Sequence, residues 1–155
     1  MTKNILAVIA LSALTLSSAF AGDVVCNSKI AVTQGKDGAP DLQAPFSLSA
    51  IQTANGYKGK YTVGEISTDL EASCEFSDLS GGLRAEDVAS LPELAQLLGV
   101  PAPDASKFKS TVTCKFGRNG IDGDAEMAVF QFLDAKGALV FGWAATDTGA
   151  FACLK

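Results

Sequence analysis

Phe108-Lys109-Ser110-Thr111-Val112-Thr113-Cys114-Lys115-Phe116 alternates without a break. Phe108, Ser110, Val112, Cys114 and Phe116 share one face, and Lys109, Thr111, Thr113 and Lys115 share the other. A period of two with one apolar face is the pattern of a half-buried strand. The same pattern recurs at 69–77, where Leu70, Ala72, Cys74 and Phe76 oppose Glu71, Ser73, Glu75 and Ser77. It recurs again at 24–33, where Val24, Cys26, Ser28, Ile30 and Val32 share a face. In all three segments the cysteine lies on the inward face, as a buried bridge between strands requires.

Turn residues mark the remaining strands. Asn55-Gly56 separates 46–54 from 57–66, and both residue types tolerate positive φ in a tight hairpin. Asp134-Ala135-Lys136-Gly137 joins 125–133 to 138–145, with Gly137 suited to a left-handed position. Thr146 to Gly149 leads into a last strand at 150–154. Residues 117–123 carry Asn119-Gly120 and Asp122-Gly123 and read as a Gly-rich loop. One segment departs from the pattern. Val88, Leu91, Leu94, Ala95 and Leu98 recur at helical spacing, and Gly99 suits a C-terminal cap. With Ser90 and Glu93 as a capping box and Pro92 in the first turn, the spacing predicts a short turn at 85–89 and a helix at 91–98. The fold expected is all-β: an antiparallel sandwich or partly closed barrel of about eight strands with one short helix packed on it.

The hairpin 125–145 is apolar on both faces. Met127, Val129 and Leu133 back onto Phe130 and Phe132; Val140 and Ala144 back onto Leu139, Phe141 and Trp143. Such a strand is covered on both sides. Either the helix covers the second face, or Phe130, Phe132, Phe141 and Trp143 line a surface for a small apolar ligand.

Residues 1–21 read as a cleaved secretory signal, with Lys3, an apolar core from Ile5 to Leu16, and Ala19-Phe20-Ala21 as the cleavage site. Residues 22–155 then form a single domain, and loss of Lys3 takes the net charge from −5 to −6. The short Lys-bearing start suits a bacterial exporter and a periplasmic or secreted protein. Beyond the signal, no apolar run reaches the ~20 residues of a spanning helix, so no membrane insertion is expected after cleavage. Four cysteines, Cys26, Cys74, Cys114 and Cys153, with no short C-x-x-C spacing, imply two disulfides in that compartment. Three pairings are open; Cys26–Cys74 with Cys114–Cys153 is expected, because each bridge would staple one half of the chain.

The chain has no histidine. That removes the usual general base, the commonest metal ligand and the usual activator of a Ser or Cys nucleophile. Its acidity argues against nucleic acid and anionic membrane surfaces. No metal or cofactor is expected. Asp122, Asp124 and Glu126 alternate like calcium ligands, but Met127 and Leu133 stand where an EF-hand needs Gly and Glu. Ser106 and Lys109 satisfy S-x-x-K without the companion motifs of penicillin-recognising enzymes. Glu71 and Glu75 lie about 13–14 Å apart along a strand, too wide for a glycosidase pair. The Gly-x-Trp that opens lipocalins is absent, and Cys114…Trp143…Cys153 places its Trp too late for an immunoglobulin core. Tyr57 and Tyr61, beside Lys58 and Lys60, are candidate contact residues for a partner. The expectation is a monomeric, exported, non-enzymatic protein that binds another protein or a surface. A small apolar-ligand carrier is the alternative, and a carboxylate- or Ser/Lys-based enzyme a distant third.

Overall fold

The computed structural model describes residues 22–34, 40–117, 126–146 and 149–155, with backbone alone at 30–34 and 40–44. The expected signal 1–21 and most of the Gly-rich loop lie outside the described residues. Eight strands follow one another: β1 (Val24–Gln34), β2 (Pro40–Thr53), β3 (Gly56–Val63), β4 (Ile66–Asp78), β5 (Ser110–Gly117), β6 (Met127–Leu133), β7 (Leu139–Thr146) and β8 (Gly149–Ala152). Each pairs antiparallel with the next, in spatial order β1 to β8. The result is an up-and-down meander curled into a nearly closed barrel, one of the ways an antiparallel sheet disposes of its edges. The seam carries one backbone bridge among the described residues. Asn27 bridges to Leu154, whose N–H donates to the Asn27 carbonyl at 2.8 Å.

Eight strands enclose a space that side chains can fill, and here they fill it. Cys26, Leu48, Val112, Cys114, Phe116 and Val129 are fully buried inside. Gly59 makes room: a Cβ there would lie 2.8 Å from Cδ1 of Phe116 and 3.0 Å from Cβ of Leu70. The alternation read from the sequence is therefore the inside–outside alternation of a barrel wall.

The cysteine pairing corrects the expectation. The disulfides are Cys26–Cys153 and Cys74–Cys114, not Cys26–Cys74 and Cys114–Cys153. The helical excursion between β4 and β5 does not divide the sheet. It leaves and re-enters at the same place, so β4 and β5 are direct neighbours and Cys74 stands opposite Cys114, with Cα atoms 4.1 Å apart. Curling then brings the first and last strands together, and Cys26 meets Cys153 across the seam at a Cα separation of 4.7 Å.

Local details also differ, among them the start of β2 at Pro40 rather than 46 and the end of β8 at Ala152 rather than 154. The strand expected at 57–66 ends at Val63, because Gly64 takes φ 58° and turns the chain into β4. At the preceding turn only Gly56 uses positive φ, while Asn55 does not. Phe108 does not share the inward face of Val112: residues Ala105–Lys107 form a 3₁₀ turn, β5 begins at Ser110, and Phe108 packs outside the barrel.

The helix α1 (Ala85–Leu97) is continuous rather than a turn and a helix. Its start is Arg84, whose guanidinium bridges Glu86 and Asp87, both at 2.9 Å. Those two carboxylates suit the positive end of the helix dipole. The expected capping box is absent: Ser90 donates instead to the Asp87 carbonyl at 2.8 Å. Pro92 lies inside the helix on its exposed side. The bond it cannot donate is the one to the carbonyl of Val88, which is also exposed. Gly99, at φ 67°, closes the helix. Its N–H donates to Gln96 and that of Val100 to Ala95, the paired bonds of a Schellman motif. The buried stripe Leu91 and Ala95 lies against the outer face of β6 and β7.

A lysine-rimmed groove beside β7

The aromatic set expected to line a cavity is brought together, but by stacking on itself. Phe130 and Trp143 stack at 5.1 Å between ring centroids, Phe108 and Phe132 at 4.3 Å, and Phe141 lies 5.8 Å from Trp143. Phe132, Phe141 and Trp143 pack in one cluster with Leu91 and Ala95 of α1. The second face of the hairpin is thus covered by the chain's own helix. Of the three grooves described, only the largest touches this set, through Phe141.

Tyr57 and Tyr61 are half-buried and share the inward face of β3, while Tyr57 also lines a smaller groove with Lys58 and Lys60. Tyr57 packs near Phe76 and Tyr61 edge-on to Phe46, and both join the barrel core. Inward is the direction that register dictates, since Gly59 between them is buried. Lys58 and Lys60 take the outer face instead, opposite Glu71 and Asp69. Glu71 and Glu75 are exposed on that same surface. Ser106 lies on the surface with its hydroxyl donating to Asp104 at 2.6 Å, so it serves a turn. Asp122 and Asp124 lie outside the described residues. Among the described residues no group of three His, Cys, Asp or Glu is gathered to hold a metal, and no helix is long and apolar enough to cross a membrane. All four cysteines are bridged, which fits an oxidising, extracytoplasmic environment.

The largest concave feature is one the sequence reading did not anticipate. It is an open groove of about 1160 Å³ beside β7, walled by residues 100–109, the β6–β7 turn and residues 152–155. Each wall has a local cause. After the helix cap, Pro101 and Pro103 hold the chain extended. Asp104 then caps the 3₁₀ turn, accepting from the Ser106 N–H at 3.1 Å and from its hydroxyl. Phe108 anchors this loop under α1. In the β6–β7 turn, Asp134 Oδ1 accepts from the N–H groups of Lys136 at 2.8 Å and Ala138 at 2.9 Å, with Gly137 at φ 77°. The third wall is fixed by Cys153, bridged to Cys26 and donating its N–H to the Gly142 carbonyl at 2.8 Å.

The floor is apolar, with Pro101, Pro103, Leu139, Val140 and Phe141. The rim carries Lys107, Lys109, Lys136 and Lys155, against Asp104 and Asp134. Both carboxylates are engaged by the protein itself. The Ser106 hydroxyl and then its N–H hold Asp104 below the usual carboxylate range, with Lys107 nearby adding a smaller effect. The N–H groups of Ala138 and Lys136 do the same for Asp134, helped by the ammonium groups of Lys136 and Lys155. The four groove lysines are exposed, with Lys107 near Asp104 and Lys136 and Lys155 near Asp134.

No protein-family model, no curated protein and no solved structure matches this chain.

Proposed function

We propose that the protein is a non-catalytic binding protein, exported by cleavage after Ala21 to the periplasm or the extracellular space. Its contact surface is the lysine-rimmed groove beside β7. The observation that carries the reading is the groove itself: an apolar floor and a charged rim, open to solvent, on a barrel whose interior is filled. A concave apolar site edged by a few polar groups is the usual form of a binding site. The absence of histidine and the engagement of Ser106 in a turn favour binding over turnover. Two disulfides and a short seam suit a scaffold that must hold a surface rigid outside the cell. Phe132, Phe141 and Trp143 pack with the helix and Phe130 stacks on Trp143, which supports a packing role for these rings over a separate ligand cavity.

Site-specific photo-crosslinking in the native host tests this. A crosslinker at Ala102 or Lys107 should give discrete adducts, and one at Ser73 or Ser77 should not. Adducts equally frequent at both pairs of positions, or absent from the groove, would overturn the assignment.

A further inference from the structure

On the strength of that reading, we propose that the occupant of the groove is an extended acidic segment of a partner protein, carrying apolar anchors and adding as a strand to the open edge of β7. The edge is visible in the pairing. β8 pairs only with Trp143–Thr146, through Trp143↔Ala152 to Thr146↔Gly149. The bond from Cys153 to Gly142 is the last in that direction. Beyond it, Leu139 and Phe141 pair with β6 on one side, and on the other no ladder partner is found among the described residues, Leu154 bonding instead to Asn27. Both Leu139–Phe141 and residues 152–155 line the groove.

An unpaired strand edge is a template for another strand, and strand addition is an established mode of peptide recognition. Main-chain bonds would supply register, and alternate side chains would reach the floor of Pro101, Pro103 and Phe141. The charge selects the sign. Four lysines and two ionised carboxylates line the groove, so its side chains carry an excess of positive charge on a chain whose net charge is −5. That segregation favours a negatively charged partner and disfavours basic ones.

The test is selection of a random peptide library on the disulfide-bonded protein. Enriched peptides should be net acidic with at least two apolar residues. Their affinity should fall roughly tenfold between about 50 and 300 mM salt, as screening of charge pairs predicts. It should fall by a similar factor in the Lys107→Glu/Lys136→Glu variant and be unchanged in Lys58→Glu/Lys60→Glu. N-methylation of alternate peptide amides should weaken binding in only one of the two registers. Peptides that are neutral or basic, that bind the groove variant equally well, or that fail to enrich would overturn the proposal. So would binding of laurate with no peptide enriched. Groove crosslinks in the host together with failed selection would remove only this inference; loss of both would remove the groove as a binding surface altogether.

Discussion

Gly59 is a glycine for want of space, not for a turn. Its Cβ position is already occupied by the ring of Phe116, which is fully buried. Gly59→Ala should destabilise the protein by about 1–3 kcal/mol, the ordinary cost of overpacking, when measured by denaturant unfolding. Gly81, with nothing within 4 Å of its Cβ position, is the control and should change by less than about 0.5 kcal/mol. At the groove, Asp134 and Asp104 are held below the usual carboxylate range by donors in their own turns. A depressed carboxylate contributes stability above its unfolded pKa of about 3.9, and loses it as pH falls through the lower folded value. The melting temperatures of the wild type and Asp134→Ala should therefore differ at neutral pH and converge as the pH drops well below 4. A difference that persists unchanged in acid would mean the turn does not depend on the ionised carboxylate.

At the level of elements, the strands and the hairpin neighbours at Asn55-Gly56 and Asp134–Gly137 were legible, and the long-range neighbours were not. Cys74 and Cys114 could each be placed on an inward face from alternation alone, because that pattern is local. Which strand stood opposite depended on whether the 79–109 excursion divided the sheet, and nothing in the spacing encodes that. Phe108 shows the same limit. It completes a perfect alternation with Val112, yet the backbone turns at Asp104–Lys107 and delivers the ring to the helix. The groove was the least legible feature, since its walls come from three separated segments and its lysines are too sparse to form a cluster in sequence. The helix makes a prediction of its own. Leu91 is buried where α1 meets the barrel. Leu91→Ala should cost about 2–5 kcal/mol and alter Trp143 fluorescence, because both residues belong to one cluster. An unchanged unfolding midpoint would mean that α1 is not part of the cooperative fold.

For the whole molecule, closure and binding surface are one matter. Among the described residues, the seam between β1 and residues 153–155 carries a single backbone bridge, at Asn27↔Leu154. The Cys26–Cys153 disulfide makes that contact permanent across 127 residues of sequence. It also fixes residues 152–155 as a wall of the groove. Breaking it with Cys26→Ser/Cys153→Ser should loosen the seam at a cost of about 2–5 kcal/mol. It should also weaken any groove ligand more than Cys74→Ser/Cys114→Ser does. The barrel account is tested most directly by proteolytic peptide mapping of the non-reduced protein by mass spectrometry. It predicts linked peptides containing Cys26 with Cys153 and Cys74 with Cys114. Peptides linking Cys26 to Cys74 and Cys114 to Cys153 would contradict both the closed meander and the groove that its closure builds.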